Sequence, residues 1–526
     1  MKRLNFSPNL ILNSVVVRFS RFSSVEALGV VFLFGFLVRL VPELLAFGSP
    51  IGFDTIHYAV VMKSGVVWAN WGSFFTSTWL LYGLTVPLYA VSGVDPFVLL
   101  KVVAPALYGL NVAGVYWFSR RYLGWEVKMG LVAVGLFAFS FAAIRISWDL
   151  LRNMLGMGLL LFCLPFVTRV RSRWGFVGFA ALSLLTVFAH EFAAVTWAFM
   201  FVGLLVWRSV KGRFNVESLR LLGAGLPAFV VFAVGMWLRF FPIKFEGAAA
   251  NLISTGEASV GRSFPFVNYL VVKDAVYSYP SYWSLLFEVL LLFGFLYLPI
   301  LFLVWKGYFK NNVLNLWVGL LLVGSFGCLV LPFFALDFWA RWMFMLVYPF
   351  TFYAVYGLFR IFRSSNKQRH VARRVSRGLA KAGLAALVLL GCGYLVIPLL
   401  VTADNLGVIP TDVSLHFSSS PTPCYEDVCG VIDAMEWLDA NMDGNSFVAL
   451  YHVFVPWGRL YLDRSHFMVQ YVNDAEYAVE LGFEHGFSYS YFVWWNEPNA
   501  WYPGSVPNGF VDVQDFGRIS VYNYLG

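Results

Sequence analysis

Residues 77–93, Ser77-Thr-Trp-Leu-Leu-Tyr-Gly83-Leu-Thr-Val-Pro87-Leu-Tyr-Ala-Val-Ser-Gly93, decide how the chain is threaded. The run is apolar enough to enter a bilayer, but it is short and broken by Gly83, Pro87 and Gly93. A spanning helix needs about 20 mostly apolar residues. Elsewhere the sequence offers eleven clearer spans, near 25–46, 96–118, 128–146, 152–168, 174–190, 192–207, 219–240, 283–304, 314–334, 340–359 and 382–401. The positive-inside rule decides the doubtful one. With the N-terminus inside and 77–93 lying in or dipping into the outer interface, 24 of the 37 Lys and Arg fall inside, against three acids (Glu26, Glu126, Glu217). Counting 77–93 as a full span sends 20 of those basic residues outside. The expected topology is therefore N-terminus in, C-terminus out.

The bulk composition agrees with a membrane chain. Of 526 residues, 60% are hydrophobic and 13% charged, where soluble proteins carry about 25% charged residues. The 20 Trp, 26 Tyr and 54 Phe exclude disorder, and five Cys exclude a secreted disulfide scaffold. Residues 402–526 hold 16 acids and three basic residues, and 1–401 carry a net +21. This divides the chain into a multi-pass membrane domain, 1–401, and an extracytoplasmic domain, 402–526. The positive charge sits in short loops between apolar runs, which argues against nucleic acid as a partner. The basic segment ahead of the first span reads as part of a signal anchor. In the outer domain a helix pattern (429–441) and alternating strands (446–451, 467–471) predict an α+β fold. Cys424 and Cys429 lie at C-x4-C spacing in the outer domain, where an oxidising exterior permits a small disulfide, the reading preferred to a metal site. The aromatics Tyr491, Trp494, Trp495, Trp501 and Tyr502 read either as sugar-stacking faces or as packing groups.

Polar residues at membrane depth are costly and mark function. Four clusters fall on the expected outer side. Gly52-Phe-Asp54-Thr-Ile-His57-Tyr58 follows the first span, and Asp54 there is either a catalytic base or metal ligand, or an N-cap. His57 shares its helix face. Arg145-Ile-Ser-Trp-Asp149-Leu-Leu-Arg152-Asn153 follows the third span. Asp149 either pairs with Arg152 or faces a cleft, with Arg145 or Arg152 holding a phosphate. His190-Glu191 tips a tight hairpin, and Asp337-Phe-Trp-Ala-Arg341-Trp opens a late span. Arg39 and Glu43, spaced i, i+4, are expected to neutralise each other, and Glu288 is a buried charge without a sequence partner. A long outer loop, 242–282, reads as a lid or binding loop.

The layout of GFDTIHY (52–58) and SWDLLRN (147–153), with the long outer loop, the late Arg and the C-terminal outer domain, resembles the GT-C membrane glycosyltransferases. That superfamily includes the catalytic subunit of oligosaccharyltransferase, protein O-mannosyltransferases and lipid A aminoarabinose transferases. The resemblance covers roughly residues 25–360. It implies a GT-C-like fold of about eleven transmembrane helices. It also implies an inverting transfer of a sugar from a polyprenyl-phosphate-linked donor to a lipid, glycan or protein acceptor. It gives Asp54 the role of base and makes Asp149 a candidate ligand, with Asp54, of a divalent Mg or Mn. Arg341 and Arg152 fall to the donor phosphate. There is no Trp-Trp-Asp-Tyr-Gly motif and no Asp-Glu pair in the first loop, which leaves the acceptor open. The competing reading is a transporter or flippase for a lipid-linked saccharide or another anionic solute.

Overall fold

The computed structural model describes residues 17, 19, 22–68, 70–240, 252–254, 266–267, 270, 279, 281–333, 335–336, 338–363, 370–399, 422–472, 474–496 and 505–524. The expected lid loop, Asp337, Trp501 and Tyr502 lie largely or wholly outside them. In chain order the first helices are α1 (Ser24–Leu45), α2 (Thr55–Ser64), α3 (Trp71–Thr76), α4 (Leu80–Ser92), α5 (Pro96–Arg121), α6 (Val127–Ala138), α7 (Phe141–Asp149) and α8 (Leu151–Cys163). Then come α9 (Arg173–Ala189), α10 (Glu191–Val210), α11 (Val216–Phe240), α12 (Tyr282–Lys306), α13 (Asn312–Val330), α14 (Trp339–Met345), α15 (Val347–Arg363) and α16 (His370–Leu395). The C-terminal region adds α17 (Tyr425–Asn441), α18 (Val455–Tyr461) and α19 (Ala475–Glu484).

Among the described residues nine helical segments are long and apolar enough to cross a membrane. The number is ten if α6 and α7, bent by 59° at Phe139–Ser140, make one crossing. The chain is a multi-pass, mostly helical membrane protein. Helix α9 has 17 residues and falls short of the length criterion. Helix α4, the run that opened the sequence problem, has 13 residues. At 1.5 Å per residue it is about 20 Å long, against a hydrocarbon core of about 30 Å.

Contacts divide the chain into two compact units, and it passes between them five times. The helical unit holds Met1–Leu44, Lys101–Val234 and Asn268–Val396. The sheet unit holds Leu45–Leu100, Gly235–Val267 and Ile397–Gly526. The expected boundary near 401 is thus one of several crossings.

The helical unit is held by close backbone approach and by satisfied polar groups. A Cβ on Gly109 of α5 would lie 2.7 Å from the Phe32 carbonyl oxygen of α1, so glycine lets the two helices touch. Asn111 of α5 donates to the Leu107 and Met154 carbonyls at 2.8 Å and accepts from the Tyr348 hydroxyl at 2.8 Å. One buried amide thereby ties α5, α8 and α15 with every bond made.

The sheet unit contains a six-stranded mixed sheet of β1 (Leu252–Ser254), β2 (Ser446–Tyr451), β3 (Phe467–Tyr471), β4 (Tyr489–Trp495), β5 (Phe510–Asp515) and β6 (Ile519–Tyr524). The order is β1-β3-β2-β4-β6-β5. The first four run parallel, and β6 is antiparallel to both β4 and β5. Strands buried on both faces read as continuous apolar runs, and Phe447, Val448, Ala449 and Leu450 of β2 are all fully buried. The sequence located β2, β3 and the C-terminal part of α17. It did not foresee that a strand from the 242–282 region completes the edge. Trp494 and Trp495 are buried rather than exposed: they pack against Tyr451 and Phe454 with ring centroids 5.4 and 4.6 Å apart. As consecutive residues of β4 the two rings leave opposite faces of the sheet, and both faces are covered there. The Trp495 indole donates to Asp427 at 3.3 Å, and Asp427 pairs with Arg518 at 2.6 Å.

The disulfide expected between Cys424 and Cys429 is not formed in this structure, where both are free thiols. Cys424 is the N-cap of α17 and Cys429 lies five residues along it, a rotation of about 140° on a helix of 3.6 residues per turn. The two thiols therefore leave the helix in different directions.

Candidate functional site

The sequence-derived site residues divide between the units. Asp54 and His57 belong to the sheet unit, and Asp149, Arg152, His190, Glu191 and Arg341 to the helical unit.

In the sheet unit, Gly52 has φ +92°, a conformation that side chains strain to adopt. It turns the chain from the end of α1 into α2. Asp54 occupies the N-cap position of α2, but its side chain makes no capping hydrogen bond to the first turn. Its backbone carbonyl accepts from the His57 amide at 3.1 Å. The Thr55 hydroxyl donates to the Ile51 carbonyl and locks the turn from within. Asp54 is half-buried and His57 exposed. The C-terminal region grips both flanks of this segment. Thr422 donates to the Pro50 carbonyl at 3.2 Å, Lys63 donates to the Leu460 carbonyl of α18, and Phe97 packs on Trp457 at 6.0 Å.

The helical unit gathers the other clusters at one end of neighbouring helices. All nine residues of α7 are buried. At its last turn Arg145 Nη1 meets Asp149 Oδ1 at 2.6 Å, with both side chains about 6% exposed. The guanidinium also lies over the Phe344 ring of α14 at 5.7 Å. The sequence expectation had paired Asp149 with Arg152 or left it facing a cleft, whereas the structure pairs it with Arg145. Arg152 is half-buried at the second position of α8. His190 caps α10, its Nδ1 accepting from the Phe192 amide at 3.2 Å. This leaves the proton of a neutral ring on Nε2. Glu191 begins the helix beside it. Phe192 stacks edge-on against Trp342 at 4.7 Å, which sets the start of α10 beside that of α14. There Arg341 covers the Phe338 ring at 4.3 Å. Phe338 holds φ +56°, an uncommon conformation for a non-glycine residue.

Beneath this lies a second charged group. Arg39 is fully buried, with Nη1 2.8 Å from Glu43 Oε1; the contact is Coulombic, off the hydrogen-bonding line. Glu43 Oε2 is 3.4 Å from Lys101 Nζ. The expected Arg39–Glu43 pair is present, and Lys101, Ser147 and Tyr394 join it unforeseen. Lys101 carried a usable signal, a cation one turn inside a span. Ser147 and Tyr394 carried none, because only the bend between α6 and α7 and the end of α16 bring them in. The Tyr394 ring lies 4.9 Å from Trp148. Glu288 is 3% exposed, and its Oε2 makes no hydrogen bond among the described residues.

Among the described residues no three His, Cys, Asp or Glu side chains gather to hold a metal. Asp149 commits one oxygen to Arg145.

No protein-family model and no curated protein matches the chain. The likeness to GT-C enzymes therefore rests on the two motifs and their layout.

Proposed function

We propose that this protein is a GT-C-type membrane glycosyltransferase, with its N-terminus cytoplasmic and its C-terminal domain extracytoplasmic. It takes a sugar from a polyprenyl-phosphate donor and transfers it to a hydroxylic acceptor at the outer face. The observation that carries the reading is the buried charge at one end of the helical unit: Arg39, Lys101 and Arg145 with Glu43 and Asp149. A bundle core retains such groups at high desolvation cost, and in membrane proteins they serve substrates or ions.

The chemistry asks little of the protein. The acceptor oxygen attacks the anomeric carbon and its proton passes to the Asp54 carboxylate. The bond from the anomeric carbon to the phosphate oxygen breaks, and the phosphate leaves with the bonding pair. Arg152 and Arg341 supply positive charge for that leaving group. A single displacement inverts the anomeric centre. His57 in the sheet unit and Glu191 in the helical unit are further polar candidates, and His190 serves as the cap of α10.

A transporter would need a continuous polar path. Asn111, a polar group within a span, has its bonds made inside the protein, which favours the enzyme. Reconstituted protein with a radiolabelled polyprenyl-phosphate sugar and a soluble acceptor tests the reading: sugar should reach the acceptor, and Asp54→Asn should abolish transfer. Movement of donor across the bilayer without transfer would support the transporter instead.

A further inference from the structure

The backbone between α7 and α8 is broken at a defined place. The Leu150 amide still bonds to the Ile146 carbonyl at 3.1 Å, and the Met154 amide to the Leu150 carbonyl at 3.0 Å. Between them Leu150 adopts φ −91°, ψ +50°, outside the helical region. A continuous helix would pair the Leu151 amide with the Ser147 carbonyl. Here that pairing is interrupted, because Leu150 belongs to neither helix. The Ser147 carbonyl instead accepts from Arg39 of α1, from Nε at 3.3 Å and Nη2 at 3.2 Å, and the Ser147 hydroxyl accepts from Nε at 2.8 Å. Arg39 is 0% exposed, Ser147 is 0% exposed, and the Arg39 guanidinium also lies 5.7 Å from the Trp148 ring centroid.

A backbone carbonyl deprived of its helical partner inside a bilayer costs several kcal/mol unless something else donates to it. Arg39 is that donor. Its planar fork suits the task, because one edge serves carbonyl and hydroxyl together while Nη1 faces Glu43. We infer that Arg39 is a positioning residue: it caps the broken end of α7 from a different helix and so holds the turn that presents Asp149 and Arg152. Only the link from this turn to catalysis rests on the glycosyltransferase reading. The cap itself does not.

The consequence is directional. Without the fork, the cheapest way to satisfy the Ser147 carbonyl is to close the helix through the Leu151 amide. Closure rotates Asp149 and Arg152 away from their present directions. Lysine keeps the charge toward Glu43 but has no fork, so Arg39→Lys should not restore the break.

Amide hydrogen exchange of the full-length protein in nanodiscs, without substrate, tests this. In Arg39→Met, exchange should slow locally at Leu151–Asn153, and Arg39→Lys should resemble it. Ser147→Ala keeps the carbonyl and should leave exchange near wild type, which provides a variant with little risk to folding. Exchange in Arg39→Met that is unchanged at these amides, faster there, or altered throughout the bundle would overturn the inference. In the transfer assay, Arg39→Met should lower kcat by about 10²-fold with little change in donor KM, as for a site displaced on the order of 1 Å. A raised KM at constant kcat would overturn the positioning role. If no transfer is seen even in the wild type, the exchange result still judges the cap while the glycosyltransferase reading fails alone.

Discussion

Two buried arginine–carboxylate groups serve different ends in this molecule. In the sheet unit, Asp427 takes Arg518 on one oxygen and the Trp495 indole on the other. It also sits in the first turn of α17, where the helix dipole favours an anion. Every contact there joins pieces of one small fold. In the helical unit, Arg39, Glu43 and Lys101 underlie Arg145 and Asp149, and the group sits at a helix break. The first arrangement ties a core. The second holds a distortion in place. Similar chemistry with similar burial is thus structural where the backbone is regular and poised where the backbone is interrupted.

The sharpest way to break this contrast is to remove one partner on the sheet side. Asp427→Ala leaves Arg518 buried without its carboxylate and should destabilise the sheet unit by about 3–5 kcal/mol, read as early exchange of the β2 and β4 amides on denaturant titration. The double variant Asp427→Leu/Arg518→Met should recover most of that loss. If the double variant is as unstable as the single one, the pair does more than join a core.

The matching experiments, on the proposed site residue Asp54 and on the helical unit's Arg145–Asp149 pair, separate fold from function. Asp54→Asn should cut transfer by about 10²-fold or more while leaving expression and melting unchanged, since no capping bond is lost. Near-wild-type transfer would remove Asp54 from the mechanism. Arg145→Met/Asp149→Leu should insert and fold, by the same logic as the sheet pair, yet transfer no better than Asp54→Asn. Normal activity in that double variant would make both buried pairs structural.

The smallest effect concerns pH. Burial pushes the Tyr451 and Tyr461 hydroxyls up to about 12, from about 10 in an unfolded chain. Their contribution to stability is complete below pH 10 and is lost as pH rises toward 12. Thermal melting of the sheet unit should fall over that window, and Tyr451→Phe should flatten the decline. A decline of equal steepness in Tyr451→Phe would assign it elsewhere.

The sequence revealed what depends on local pattern and lost what depends on long-range meeting. Hydropathy gave α1, α5 and α10 to α13 nearly residue by residue, because each is one uninterrupted apolar run. It read α6 and α7 as a single span, since nothing in Phe139-Ser140 announces a 59° bend. Asp54, Asp149, His190 and Arg341 stood out as polar residues at span ends. Spacing left the partner of Asp149 open, because i, i+3 and i, i+4 neighbours compete; the structure shows Arg145 on one oxygen, where Phe344 and the burial of α7 hold it. The Arg39 contact to Ser147 spans 108 positions and leaves no mark in spacing.

The edge strand β1 has a consequence for counting. A hydrogen-bonded ladder cannot be stitched through a bilayer, so Ser254 and Gln470, partners in register, must lie on one side. An even number of crossings must separate them, and four long apolar segments do: α12, α13, α14 with α15, and α16. The same parity applies earlier in the chain. Arg239, at the end of α11, donates to the Thr76 carbonyl at 2.8 Å, so residues 76 and 239 share a side. Between them lie α5, the bent pair α6–α7, α8, α10 and α11, an odd set if the bent pair is one crossing. Parity then requires one more crossing among the described residues; of the two shorter apolar helices in the interval, α4 with 13 residues and α9 with 17, the longer α9 is the better candidate.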